Sequence, residues 1–263
     1  MIRLLCTLLA FFLIQKGAHF LTDGFRYQEL LTTLPNQPRW EVPFNKEILP
    51  LLNQSFTYLG SGDQCYAFVG KDGCTVLKFF RHETPFSRLL REKPRYLDPL
   101  FNSCHLAYTK LREETGLIYL HLNKTKDLFP TISFTDKIGI RHTIDLNETE
   151  FLLQQKGDLF FPRLTQELAA GHTDQAKQMI ASFFSCLQNC VRKGVVDKDP
   201  SIRRNLGFNG ERTIFIDVGS FIPCQNPSQD LNHKIRRFKR YLAKHKPDLL
   251  PFFEEQVANF DQL

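Results

Sequence analysis

The sequence of 263 residues is 42% apolar and 24% charged, the proportions of an ordinary soluble protein with a sizeable core in one two-lobed domain or two small ones. Its 25 Phe are predicted to be core residues, because Phe buries a large area and has no polar tip. The formal net charge of +6 attracts polyanions, but the sequence has no RNA-module signature and no basic–aromatic alternation. No specific nucleic-acid partner is therefore expected, and the basic run from Lys234 to Arg240 is interpreted as a solvated helix face.

Residues 1–18 are predicted to be a signal-like or anchoring apolar segment. Arg3 precedes an apolar run from Leu4 to Ile14, which suits a signal-peptide core and is too short to span a bilayer. A cleaved signal, a membrane-dipping anchor and a plain helix all fit this segment. Cleavage would imply an exported protein, and retention a cytoplasmic or membrane-associated one. Three triplets match the glycosylation pattern and begin at Asn53, Asn123 and Asn147.

The first half of the chain is predicted to be rich in strands. Residues 19–54 are punctuated by prolines and are interpreted as a lead-in, and residues 55–157 as a β-rich N-lobe. β-branched and aromatic runs between Gly-rich breaks predict strands at Phe56–Leu59, Cys65–Val69 and Cys74–Phe80. A helix from Pro99 to Thr115 is predicted to end at Gly116. The further predicted strands are Leu117–Leu122, Thr131–Phe134 and Ile138–Leu146.

Residues 158–263 are predicted to form a helical C-lobe with a catalytic-type loop. Apolar spacing predicts a long helix from Asp174 to Arg192, in which Cys186 and Cys190 share a face and are interpreted as core residues. The remaining predicted features are a loop at Val195–Pro200, a tight turn at Asn209-Gly210, a strand at Thr213–Ile216 and a basic helix from Asp230 to His245. This order of elements predicts the α+β class.

Two groups of residues in the first half could contact a nucleotide. Gly60 and Gly62 lie between two predicted strands, where glycines let backbone N–H groups approach a phosphate closely. Lys78 lies inside an apolar strand, so its stem can follow the sheet while its ammonium meets a negative charge.

A third group of residues, in the second half, offers oxygen atoms that suit Mg²⁺. It consists of Asp197, Asp199, Asn205 and Asp217. A hairpin that turns at Asn209-Gly210 would bring Asn205 and Asp217 to the same end of two paired strands. Asp217 ends an apolar strand, where a buried carboxylate without a partner would be costly. The pattern therefore favours a metal-binding role over turn chemistry.

Taken in order, these groups resemble the protein-kinase-like superfamily over roughly residues 55–222. Gly60-Ser-Gly62 resembles its Gly-rich loop, Val76-Leu-Lys78 its lysine-bearing strand, and Asp217-Val-Gly219 its metal-binding Asp-Phe-Gly motif. The run from Gly194 to Asn205 resembles its catalytic loop. The resemblance implies a two-lobed protein-kinase-like fold, with a β-rich N-lobe and a short helical C-lobe, that binds ATP and Mg²⁺.

The resemblance also implies a role for each residue. Asn205 and Asp217 would hold Mg²⁺, Lys78 would contact phosphates, and Asp199 would accept the proton of the phosphate acceptor. Asp197 replaces the usual histidine and is an alternative base. Glu113 or Glu114 is expected to pair with Lys78, because both close the helix expected to pack on the sheet.

Three departures from the family pattern shape the expected function. Asn205 follows Asp199 by six positions, one more than usual, Cys65 stands at the third glycine, and no Ala-Pro-Glu follows Gly219. The absence of Ala-Pro-Glu favours a compact small-molecule or glycolipid kinase over a protein kinase, although the acceptor of the expected phosphotransferase can be a small molecule, a glycolipid or a protein. All three departures also favour the alternative, a catalytically inactive binding or effector module. The predicted partners are a nucleotide, an unknown phosphate acceptor and an anionic membrane surface.

Overall fold

The computed structural model describes residues 12, 14–31, 34–82, 97–224 and 227–260, and its strands and helices confirm the predicted α+β class. The chain forms two compact units. The first comprises Met1–Arg95 and Tyr119–Gln154, and the second Tyr96–Ile118 and Gln155–Leu263. No helix in this described part is long and apolar enough to cross a membrane. Most of the predicted segment 1–18 lies outside the described residues.

The first unit is built on a seven-stranded sheet with the strand order β4-β7-β3-β2-β1-β5-β6. Strand β1 pairs antiparallel with β2 and parallel with β5, while the β2–β3 and β5–β6 pairs are antiparallel. The strands are β1 Phe56–Ser61, β2 Cys65–Gly70, β3 Thr75–Phe80, β4 Leu117–His121, β5 Thr131–Thr135, β6 Arg141–Asp145 and β7 Phe151–Gln155. Strand β7 lies outside the sequence-based prediction, because its three apolar residues are consecutive and precede two glutamines, without the alternation typical of a half-buried strand.

Phenylalanine rings fill the core of the first unit. The ring centroids of Phe68 and Phe134 lie 4.7 Å apart, and Phe79 lies 5.8 Å from Phe68 and 5.6 Å from Phe134. Strand β2 alternates so that Tyr66 and Phe68 are fully buried, whereas β3 is central and buried at all positions except that of Lys78. The prediction that the Phe residues are core residues is therefore confirmed for these rings, whereas Phe20 and Phe44 of the same unit are exposed.

The segment predicted to be a lead-in is in fact packed into the first unit. It buries Leu30, Trp40 and Ile48, and the Glu29 carboxylate accepts hydrogen bonds from Arg81 Nε at 2.8 Å and Tyr66 Oη at 3.0 Å. The segment begins within a helical stretch over 14–22 and contains short 3₁₀ helices at Tyr27–Leu30, Pro38–Trp40 and Lys46–Ile48, and α1 at Leu49–Leu52. Such short turns bury isolated side chains, so the sequence shows no periodicity that would reveal them.

The second unit contains most of the helices and two small sheets. Its helices are α2 Leu97–Lys110, α3 Arg112–Thr115, α4 Phe160–Ala169, α5 Thr173–Arg192, α6 Ile202–Asn205, α7 Pro227–His245 and α8 Leu250–Phe260. Its strands are β8 Asp158–Leu159, β9 Val195–Asp197, β10 Leu206–Phe208, β11 Thr213–Phe215 and β12 Phe221–Pro223. The sheets have the orders β11-β10-β8 and β12-β9.

A second cluster of aromatic rings holds these helices together. The Phe238 ring of α7 lies 5.5 Å from Phe160 of α4, 5.0 Å from Phe183 of α5 and 5.0 Å from Phe253 of α8. Cys186 and Cys190 are buried on α5, as predicted. Each unit therefore has its own apolar core.

Two predicted elements of the second unit need correction. The predicted helix from Pro99 to Thr115 is divided, because α2 ends at Lys110 and α3 follows Leu111, although Gly116 has φ +63° and confirms the predicted cap. Residues 195–197, predicted to lie in a loop, form β9 and pair antiparallel with β12. The two strands are distant in the sequence, and the three residues of β9 are too few for a sequence pattern to predict a strand.

The loop between β4 and β5 depends on the buried side chain of Asn147. Its Oδ1 accepts hydrogen bonds from the backbone N–H groups of Leu128 and Phe129, both at 3.0 Å, and from Thr125 Oγ1 at 3.1 Å. Its Nδ2 donates to the Phe129 carbonyl at 2.7 Å. The amide is therefore fully engaged and unavailable for glycosylation, whereas Asn53 is exposed.

Replacement of Asn147 by Ala should destabilise the protein by about 2–4 kcal/mol, because buried N–H donors would lose their acceptor. Urea unfolding is the measurement. Asn53→Ala, at an exposed site of the same residue type, should change the free energy of unfolding by less than about 0.5 kcal/mol. Equal effects of the two substitutions would contradict the assigned role of Asn147.

Candidate functional site

The candidate nucleotide-binding residues of the first unit lie on its first three strands and in the turn between β1 and β2. Lys78 is half-buried in β3 opposite Ala67 of β2. Gly60 lies in β1 beside a register shift, and the Gly62 N–H donates to the Cys65 carbonyl at 2.9 Å. Among the described residues, a Cβ at Gly60 would meet no atom within 4 Å, so packing does not require a glycine there.

In the second unit, the segment that follows β9 is shaped by its own carboxylates. Asp197 is the last residue of β9 and pairs with Phe221 of β12. Its Oδ1 accepts the N–H of Asp199 at 3.0 Å, and Asp199 Oδ1 accepts the N–H of Ser201 at 2.7 Å. These two turns lead the chain from β9 into α6.

Lys234 of α7 binds this segment from the buried side. Its Nζ donates to the Asp197 carbonyl at 2.9 Å and to the Asp199 carbonyl, and it lies 3.1 Å from Asp197 Oδ2. The Lys234 side chain is 2% exposed, so the predicted solvated helix face is wrong at this position. Lys234 falls on the apolar face of α7 between Leu231 and Phe238. A lysine on the apolar face of a helix is the sequence feature that could have indicated its burial.

The two aspartates differ in their proton affinity. Burial raises the pKa of Asp197 to about 6, although the charge of Lys234 opposes the shift. Burial also acts to raise the pKa of Asp199, but hydrogen bonds from the Asn205 side chain and the Ser201 N–H outweigh it, so this pKa lies below its ordinary value. Asp199 is therefore ionised at neutral pH.

The β10–β11 hairpin brings Asn205 and Asp217 together, as predicted. Leu206 pairs with Phe215, and the Asn205 carbonyl accepts the Ile216 N–H at 2.8 Å. Asp217 is exposed, so the expectation of a buried carboxylate at this position is wrong, and its Oδ1 accepts the Gly219 N–H at 3.0 Å. The motif that follows β11 is thus a closed turn with one carboxylate oxygen used internally.

Ser103 of α2 holds this turn and is absent from the sequence-based prediction. Its hydroxyl donates to the Val218 carbonyl at 2.6 Å and accepts the Phe221 N–H at 2.6 Å. Because a serine on a helix face is common, the sequence carries no signal for this role.

The glutamates proposed as partners of Lys78 have other surroundings. Both carboxylate oxygens of buried Glu114 accept hydrogen bonds from Lys193 Nζ at 2.8 Å. Glu113 is exposed on α3. The structure thus gives Glu114 a different partner from the predicted one.

The Asn205–Asp217 pair has the chemistry to hold a hard cation. The Asn205 side chain donates to Asp199, which leaves its amide oxygen as an acceptor, and Asp217 offers Oδ2. The described residues contain no group of three or more His, Cys, Asp or Glu that could hold a metal ion. A cation held by these two residues alone would need to take its other ligands from phosphates and water.

Comparisons with known proteins give structural neighbours only. No protein-family model matches the chain, and no curated protein matches its sequence. The solved structures that it resembles include WbdD with the kinase inhibitor LY294002, at 14% identity and TM-score 0.41, and monomeric WbdD, at 17% and 0.41. A further structure, of the bifunctional kinase-methyltransferase WbdD, matches at 16% identity and TM-score 0.36.

These matches cover 74–76% of this chain but 43–45% of the WbdD chains. The chain thus spans less than half the length of the proteins it resembles. The kinase and methyltransferase activities are those of WbdD.

Asp197→Asn should change how stability depends on pH. A carboxyl whose pKa rises from 3.8 to about 6 on folding binds its proton more tightly in the folded state, so its contribution to stability falls as pH increases between these values. The free energy of unfolding of the wild type minus that of Asp197→Asn should therefore decrease by up to about 3 kcal/mol as the pH rises from 4 to 6.5.

Urea unfolding at several pH values measures this difference. Asp248→Asn, at an exposed aspartate, is the matched control and should run parallel to the wild type. A parallel curve for Asp197→Asn as well would contradict the raised pKa.

Proposed function

We propose that the protein is an ATP- and Mg²⁺-dependent phosphotransferase of the kinase-like type. The observation that carries this proposal is the backbone contact of the β10–β11 hairpin, in which the Asn205 carbonyl accepts the Ile216 N–H at 2.8 Å, directly before Asp217. When bound there, Mg²⁺ would neutralise charge on the phosphates of the nucleotide. Asn205 and Asp217 would hold the cation.

Asp199 is the better of the two candidate bases. Its pKa is below the ordinary value, it is half-buried, and its carboxylate also accepts a hydrogen bond from Asn205, so it is ionised and oriented. Asp197 is only 5% exposed and faces Lys234 at 3.1 Å. Asp199 would accept the proton of the acceptor hydroxyl, and Asp197 would position the segment.

The resemblance gives Lys78 and the two glycines the role of contacting phosphates. The open space at Gly60 supports a backbone that a phosphate can approach closely. Cys65 in place of the third glycine favours the second candidate function, a kinase-like module that binds a nucleotide without turnover.

Calorimetry on the full chain tests the nucleotide site. ATP should bind in the presence of Mg²⁺, and Asp217→Asn should weaken this binding by on the order of tenfold or more, because the cation loses a charged ligand. Asn at position 217 can still accept the Gly219 N–H, so the turn should persist. Asp174→Asn, at an exposed aspartate of α5, should bind as the wild type does.

Turnover separates the two candidate functions. Asp199→Asn should lower the ATP hydrolysis or transfer rate about 10²–10⁴-fold and leave Mg²⁺–ATP affinity nearly unchanged. Binding without turnover by the wild type would favour the binding module. Absence of Mg²⁺-dependent ATP binding by the folded wild type would overturn the proposal.

A further inference from the structure

A cavity of about 410 Å³ lies in the second unit beside the start of α6. Two of its lining residues, Ser201 and Ile202, follow the candidate base Asp199 by two and three positions in the sequence. The cavity is therefore lined by the same segment that carries the candidate base. The other lining residues come from α4, α6 and α7: Phe161, Arg203, Arg237, Arg240, Tyr241, Lys244 and His245. This volume suits a small-molecule ligand.

The cavity is strongly basic. Arg203, Arg237, Arg240 and Lys244 line it, and within the described part of the chain none of the four forms an ion pair. In contrast, Lys239 on the same helix pairs with Glu254 at 2.8 Å. The described lining residues include four cations and no carboxylate, and this composition favours an anion with several charges.

One side of the cavity is aromatic and held in place. The Phe161 and Tyr241 rings lie 4.2 Å apart, and Tyr241 Oη shares a hydrogen bond of 2.8 Å with Thr165 Oγ1. The His245 ring lies 4.9 Å from the Tyr241 ring. A ligand with both charged groups and an apolar ring face fits this combination better than inorganic phosphate alone.

We infer that this cavity binds a phosphorylated sugar or polyol, either free or as the headgroup of a lipid. The identification of this ligand as the phosphate acceptor rests on the proposed function. It follows from the position of Ser201, which lines the cavity and lies two residues after Asp199. Arginines suit phosphate because their planar fork can donate two parallel hydrogen bonds to it. The rings would cover the face of the sugar or polyol ring.

The position of these cations is not explained by helix electrostatics alone. Lys244 lies in the last turn of α7, where a positive charge is favourable in any helix. Arg203 likewise lies in the last turn of α6, but Arg237 lies two turns before the end of α7. Their convergence on one concavity thus calls for a ligand.

Calorimetry with inositol trisphosphate, in EDTA and without nucleotide, tests the cavity directly. The wild type should bind it at 0.15 M salt, and the Arg237→Gln/Arg240→Gln variant should bind at least about tenfold more weakly. Both side chains are exposed, so the variant should fold. Arg236→Gln is the matched control, because Arg236 is adjacent, exposed and equally charged but does not line the cavity.

Vesicles distinguish the two sources of the ligand. Binding to phosphatidylcholine vesicles with phosphatidylinositol bisphosphate, lost in Arg237→Gln/Arg240→Gln but kept in Arg236→Gln, would assign a lipid headgroup. Binding of the soluble compound with the same pattern would assign a free ligand. Equal losses in Arg236→Gln and in the cavity variant, or no binding of either probe by the wild type, would overturn the inference.

Asp217→Asn separates this inference from the proposed function. It should bind inositol trisphosphate as the wild type does, because the probe needs no Mg²⁺. A wild type that does not bind Mg²⁺–ATP but binds inositol trisphosphate, with that binding weakened in Arg237→Gln/Arg240→Gln, would contradict the phosphotransferase proposal. The same result would support the anion site in the cavity.

Discussion

The buried ammonium of Lys234 is the contact on which the candidate site of the second unit depends. It lies next to the Asp197 carboxylate and binds the carbonyls of Asp197 and Asp199, so it fixes backbone as well as side chain. Removal of one partner from such a pair leaves a charge buried without compensation, which is strongly destabilising. The segment from β9 to α6 is therefore held by electrostatics, in addition to the two turns that its own aspartates form.

The rest of the site follows from this anchored segment. It leads into α6 and the β10–β11 hairpin, whose pairing sets Asn205 next to the residues before Asp217. Ser103 then fixes the turn after Asp217 through two hydrogen bonds. Polar residues on short turns are thus held by rigid helices and strands, an arrangement typical of functional sites.

Helix α7 connects the candidate catalytic segment with the basic cavity. Its buried face carries Lys234 and Phe238, which contact the segment and the aromatic core. Its exposed face carries Arg237 and Lys244, which line the cavity. Since neighbouring positions on one helix serve both purposes, the cavity has a fixed place relative to Asp199. A basic helix in this chain is therefore both a structural support and a candidate binding surface.

Local periodicity and turn chemistry predict the α+β class, the hairpins, the long helix α5 and the proximity of Asn205 to Asp217 from the amino-acid sequence. In contrast, the formation of strand β9, the packing of residues 19–54 and the burial of Lys234 follow from the folded arrangement of the chain. Each of these depends on a partner distant in the sequence: β12, the first sheet and Asp197. Local sequence patterns do not specify such partners, and long-range packing does.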